Sequence, residues 1–292
     1  MRRRIAQTMD RTTPIWLVAN AASGSNSGDA LDNLTARLAA ISREPARIVH
    51  FPDDPLPTRA DLERERVGIL AVFAGDGTVN AQCARLHGWQ GAVLVLPGGT
   101  QNLMARALHG EEASVEGIVA ALDRGRLASA RRRLIRCTQG DALCEIVAGP
   151  GAVWADVREE IRDGGLGGIA TSLGEAIRRS ASDPGVAIVE PATGRKEGYP
   201  AIRLHPGASG MAVDAYGPQD IAGVAQQAGA MLRRDFRTGP HDALGEHDRV
   251  RCRSAAPIEL MIDGERRTGS RDETFEIMDC DVNFLSSIRQ HE

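Results

Sequence analysis

Asp76 stands between two glycines in the stretch Gly75-Asp76-Gly77-Thr78. Glycine lets a backbone turn sharply and approach a ligand with no Cβ in the way. A glycine turn that opens a helix is a ready phosphate site, because free N–H groups and the helix dipole both favour an anion. A carboxylate beside a phosphate needs a reason, since the two repel. That reason is either Mg2+ bridging them or a part in orienting reacting groups. Taken alone, the stretch also reads as a simple Asp-Gly turn. Two more glycine loops change that balance: Asn20-Ala21-Ala22-Ser23-Gly24-Ser25, and Pro97-Gly98-Gly99-Thr100-Gln101-Asn102.

Each loop follows an apolar run and precedes a helical pattern. The runs are residues 15–19, 67–73 and 92–96, short and rich in Val, Ile and Leu, as strands buried in a parallel sheet are. The helices are expected over about 29–41, 79–86 (with Thr78 as its cap) and 103–108. In such a sheet ligands bind where several strands deliver loops to one edge. Further elements are a strand over 46–51, a short helix over 61–66 and a helix over 115–122.

The rest of the chain narrows the function. At 292 residues there is room for two domains, and 42% hydrophobic with 25% charged residues is globular composition. A net charge of −4 and 3% aromatics give no reason to expect a nucleic-acid partner. Five scattered cysteines without a C-x-x-C fit a reducing cytosol. No apolar run approaches the ~20 residues that span a bilayer, so a cytoplasmic protein is expected, with visits to the inner membrane surface left open. Of 35 basic residues only Lys196 is lysine. A P-loop or a strand lysine is thereby excluded, and phosphates must be held by backbone N–H groups, arginine and metal.

Together the loops resemble the diacylglycerol kinase and sphingosine kinase superfamily of lipid kinases. The resemblance rests on Asn20-Ala21-Ala22-Ser23-Gly24, Ala74-Gly75-Asp76-Gly77-Thr78 and Leu96-Pro97-Gly98-Gly99-Thr100-Gln101-Asn102, in that order. A late Ile262-Asp263-Gly264-Glu265 is similar to the D-G-E of that family's catalytic cleft, and by itself is a common hairpin turn. The chain departs from the pattern at Ala74, where the family has Gly, and at Ala81 and Leu103, where it has acidic residues.

The resemblance implies an α/β fold: an N-terminal three-layer nucleotide-binding domain over 14–127 and a C-terminal β-rich sandwich with a helical insertion over 128–292. Short strand candidates with turns between them agree with a sandwich. Helices are expected over 153–162 and 168–179, and a polar loop over 238–248. The implied activity is transfer of the γ-phosphate of ATP, with Mg2+, to a lipid hydroxyl. Diacylglycerol is the first acceptor, with ceramide or a sphingoid base behind it. Asn20, Ser23, Gly24, Gly75, Gly77, Thr78, Asn80, Gly99, Thr100 and Asn102 would line the nucleotide. Asp76 would act through the metal, with Arg106 able to pair with it or to cover a helix end. Asp263 or Glu265 would take the proton of the acceptor alcohol; the sequence does not separate them. An NAD kinase and a catalytically weak nucleotide-binding or lipid-sensing protein are the alternatives. The clusters Arg131-Arg132-Arg133, Arg178-Arg179 and Arg233-Arg234 are either solvated faces or contacts with anionic lipid.

Overall fold

The computed structural model describes residues 12–20, 28–150, 185–217 and 241–288. The chain divides into two compact units, residues 1–133 with 279–292, and residues 134–278.

The first unit is built on a six-stranded sheet. Its strands are β1 (Ile15–Asn20), β2 (Arg47–Phe51), β3 (Ile69–Ala74), β4 (Ala92–Pro97), β5 (Ala128–Ala130) and β17 (Phe284–Ser286), in the order β2-β1-β3-β4-β17-β5. The pairs β1–β2, β1–β3 and β3–β4 are parallel. Ile15, Leu17, Ile69, Ala71, Leu94 and Leu96 share a core with Leu34 and Leu38 of helix α1 (Gly28–Ala40) and with Ile118 and Leu122 of α5 (Val115–Asp123). Their alternates Trp16, Val18, Leu70, Val72, Val93 and Val95 are buried as well. A sheet covered on both faces needs such continuous apolar strands, which is why their sequences do not alternate. The remaining helices are α2 (Arg59–Arg64), α3 (Asp76–Cys83) and α4 (Leu103–His109).

The second unit is a sandwich. One sheet has the order β12-β11-β10-β8-β14-β15; the other, made of β6 (Arg133–Cys137), β7 (Gly140–Ala142), β9 (Ala187–Glu190), β13 (Arg249–Arg253) and β16 (Asp272–Asp279), has the order β7-β6-β16-β13-β9. The strands used below are β8 (Ile146–Ala148), β10 (Ala201–Pro206), β11 (Met211–Tyr216), β12 (His241–His247), β14 (Glu259–Ile262) and β15 (Glu265–Thr268). One core takes Ile146, Ile202, Leu204, Val213, Leu260 and Ile262 from the first sheet and Ile135, Ile188, Val250 and Phe275 from the second. On β10 the inward Ile202 and Leu204 alternate with Arg203 and His205, as a strand with one covered face requires, whereas the central β8 is apolar throughout.

Several boundaries differ from the sequence reading. The expected second domain runs from 128 to 292, but the chain returns to the first unit at Asp279. There β17 pairs with β4 and β5, and Val93 N–H donates to the Asn283 carbonyl. A three-residue strand is too short to stand out in a sequence. The expected loop over 238–248 contains β12, paired along β11 from Met211–His247 to Tyr216–His241. It is an edge strand, and an edge tolerates the polar residues that make the stretch read as loop. The short helix lies over Arg59–Arg64 rather than 61–66. Thr58 and Asp61 form a capping box, so the helix starts at the threonine. The helices expected over 153–162 and 168–179, and Arg178, Arg179, Arg233 and Arg234, lie outside the described residues.

Candidate functional site

The C-terminal ends of β1, β3 and β4 lie side by side, because those strands are neighbours and parallel. Asn20 closes β1. It is half-buried, and its Nδ2 donates to Thr78 Oγ1 at 2.8 Å, which ties the first loop to the second. Ser23 and Gly24 lie outside the described residues.

The second loop folds differently from the expectation that Thr78 caps a helix over 79–86. Helix α3 begins at Asp76, with Gly75 as its N-cap in extended conformation. Asp76, Gly77 and Thr78 therefore form its first turn, and the Thr78 hydroxyl, buried beside Val79, serves Asn20 instead. Asn80 follows on the same helix, half-buried, with its carbonyl accepting Ala84 N–H.

The third loop explains what Asp76 does locally. Asn102 is left-handed (φ 53°), and its side chain turns back on the loop: Oδ1 accepts Gly99 N–H at 2.7 Å and Nδ2 donates to the Gly99 carbonyl at 2.8 Å. Asn102 therefore does not cap α4 with its side chain. Asp76 does so from the neighbouring loop, its two oxygens accepting Leu103 N–H at 3.0 Å and Met104 N–H at 2.9 Å. An anion at the orphan N–H groups of a helix start is favourable. Gly99 is buried against Gly75: a Cβ on Gly99 would lie 2.5 Å from the Gly75 Cα. Two backbones meet there with no side chain between them. Thr100 is exposed. Arg106 pairs with Glu111 through both Nε and NH2, rather than with Asp76 as one option had it.

The loops thus bring together Asn20, Gly75, Asp76, Gly77, Thr78, Gly99 and Asn102. Asn102 shapes its loop with both polar ends of its side chain, and Asp76 joins the second and third loops. Neither link was read from sequence. The Gly-x-x-Asn spacing of the third loop was the available signal, since Asn tolerates the left-handed turn and bonds local backbone. Among the described residues no group of three or more His, Cys, Asp or Glu is placed to hold a metal. Among the described residues of this loop cluster, Asp76 is the single carboxylate.

The second unit holds the other two candidates, and they occupy different environments. Asp263 and Gly264 form the tight turn between β14 and β15, with φ of 46° and 88°. Two positive values suit the turn that right-twisted hairpins prefer. Asp263 is 2% exposed. Its Oδ2 accepts Leu143 N–H at 2.7 Å, its Oδ1 accepts Cys144 and Glu145 N–H at 2.9 Å each, and its own N–H donates to the Glu145 carbonyl at 3.0 Å. Glu265 opens β15 with its side chain 59% exposed, 3.9 Å from Arg267. One carboxylate of the Asp-Gly-Glu turn is a buried anchor and the other faces solvent.

Residues 14–131 match the family of the diacylglycerol kinase catalytic domain. That match covers 118 of the 292 residues, so the likeness to the family is carried by the first unit. No curated protein matches it. Solved structures from Bacillus anthracis strain Sterne share the fold of this chain. One, a diacylglycerol kinase, is 14% identical with a TM-score of 0.61, over 94% of this chain and 96% of its own. Another, provisionally described as a diacylglycerol kinase, is 15% identical with a TM-score of 0.61, over 94% and 97%. Both the α/β unit and the β-rich unit are therefore within the span of the likeness.

Proposed function

We propose that this protein transfers the γ-phosphate of ATP to a lipid hydroxyl, with diacylglycerol as the acceptor. The observation that carries the reading is the interlocked set of loops at one sheet edge. Asn20 is bonded to Thr78, Gly75 is packed on Gly99, and Asp76 is bonded to the start of α4. Phosphoryl transfer needs the donor held and charge offset more than it needs covalent chemistry. Gly75, Gly77 and Gly99 offer the backbone approach for phosphates, and Thr78, Asn80 and Thr100 the polar contacts. Asp76 fits Mg2+ carried in with the nucleotide, since such an ion takes one or two protein carboxylates and fills its shell with phosphate and water. When bound, the ion would neutralise charge on the transferred group. For the proton of the acceptor alcohol we assign Glu265, the solvent-facing carboxylate of the hairpin, and leave Asp263 the turn. Among the described residues no helix is long and apolar enough to cross a membrane, so the acceptor would be met at a lipid surface.

The test is transfer of labelled γ-phosphate from ATP, with Mg2+, to diacylglycerol, ceramide, sphingosine, phosphatidylglycerol and NAD. Product on diacylglycerol is expected. Product on another lipid would change the acceptor and keep the class, and product on NAD alone would overturn the lipid reading. ATP binding without any product would favour the nucleotide-binding alternative. The observation behind that alternative is Leu103, an apolar residue whose N–H is bonded to Asp76 at a position where the family has an acidic side chain.

A further inference from the structure

Glu145 is bonded to Asp263 at both ends of its peptide unit, and its side chain leads away into a cluster of charge. Glu145 Oε2 accepts Arg203 Nε at 2.7 Å. Arg203 NH1 reaches Asp214 Oδ2 at 3.4 Å, and the same oxygen lies 3.2 Å from His205 Nε2, with His241 Nε2 4.0 Å from Oδ1. Cross-strand register sets this up: Arg203 of β10 stands opposite Asp214 of β11 on one side and Val147 of β8 on the other. Ile202 and Leu204, which alternate with it, face the core. The Glu145 and Arg203 side chains are only 8% and 19% exposed.

An ion pair taken this far out of water is a poor way to gain stability, because desolvation offsets much of the attraction. Well-packed apolar residues would serve stability as well. What the pair adds is direction: a planar guanidinium between two carboxylates holds both in one geometry. We propose that Arg203 is a positioning residue for Glu265. It holds Glu145, Glu145 holds the turn of residues 143–145 against Asp263, and Asp263 sets the turn from which Glu265 emerges. This rests on the assignment of Glu265 as the proton acceptor.

The experiment compares Arg203→Lys, the double variant Arg203→Gln with Glu145→Gln, Glu265→Gln, and Arg203→Lys combined with Glu265→Gln, in the full chain. The double variant removes both members of the Glu145–Arg203 pair and leaves His205 and His241 beside Asp214. Two quantities are read: hydrogen exchange at the Leu143, Cys144 and Glu145 amides, and turnover on the lipid acceptor with KM for ATP. The expected result for both Arg203 variants is exchange about tenfold faster at those amides. Turnover falls about tenfold with KM for ATP unchanged, and Arg203→Lys adds little to Glu265→Gln. Faster exchange with undiminished turnover would make Arg203 merely structural and overturn the proposal. Slower turnover with unchanged exchange would overturn the route through Asp263. Undiminished turnover of Glu265→Gln would sink the base assignment and the proposal with it. Exchange on the same variants tells that failure apart from a failure of the lock.

Discussion

The two aspartates of the glycine motifs make a comparison within one chain. Asp76 and Asp263 each sit beside glycine in a turn, and each binds backbone N–H groups of a segment distant in sequence. Asp76 takes two, at the start of helix α4, and is half-buried at the open edge of a parallel sheet. Asp263 takes three, in a closed turn, and is 2% exposed. The same residue type in similar local sequence is thus a loop-bridging cap in one unit and a buried anchor in the other. Burial separates them: a carboxylate that solvent cannot reach serves the fold, and one at the edge of a cluster of loops can also serve a ligand.

The comparison breaks if the aspartates respond alike to substitution. Asp263→Ala leaves two buried donors and one half-buried donor without their acceptor and puts an alanine at positive φ. Each deserted donor costs about 1–3 kcal/mol, not fully additively, so a loss of about 3–5 kcal/mol is expected. Denaturant unfolding would read it; a loss under about 1 kcal/mol would show that the turn is held by other means. Asp76→Asn should do the reverse. One oxygen can still accept an N–H, so stability should fall by only about 1 kcal/mol, the scale of a helix-start charge. Turnover should fall at least about a hundredfold, equal to about 2.7 kcal/mol of barrier. Undiminished turnover would reduce Asp76 to a helix cap.

A smaller effect tests whether the loops act as one body. Gly99→Ala places a methyl 2.5 Å from the Gly75 Cα, backbone that cannot swing aside as a side chain would. Overpacking of this kind costs about 1–3 kcal/mol. The two loops should separate, so ATP affinity should drop about tenfold or more in a protein that still folds. Retained affinity in calorimetry would mean that the glycine contact is not needed for the nucleotide.

Much of this was legible before the structure. The parallel strands announced themselves as apolar runs ending in glycine loops, and the loop order carried the resemblance that the match over residues 14–131 repeats. What stayed hidden depends on partners far apart in sequence. Asp76 caps a helix that starts 27 residues later, a link that no local pattern records. Thr78 looked like a cap because it precedes apolar residues, yet Gly75 already opens the helix and leaves the hydroxyl for Asn20. Asp263 and Glu265 could not be told apart because burial belongs to the tertiary fold. The edge strand β12 was missed because its composition answers to solvent and its conformation to β11.

The first unit has its own anchor between distant segments, and acid should release it. His109 ends helix α4 and meets Ser287, just past β17: its Nδ1 lies 2.9 Å from Ser287 Oγ and accepts Ser287 N–H at 3.3 Å. Burial pushes this imidazole down to about 4, against a smaller opposing pull from the Val95 backbone. The folded protein therefore holds it neutral, whereas the unfolded chain takes up a proton below its ordinary value. Stability from this group is complete above about pH 6.5 and declines as pH falls toward 4, since the unfolded state then binds more protons. Between pH 7 and 5.5 the loss should be about 1 kcal/mol. Hydrogen exchange at Ser287 should rise over the same range. His109→Gln, which carries no proton equilibrium, should flatten that part of the pH profile. If the slope persists in this variant, the acid sensitivity belongs to another group, and the junction between α4 and β17 is no weaker to acid than the buried turn at Asp263.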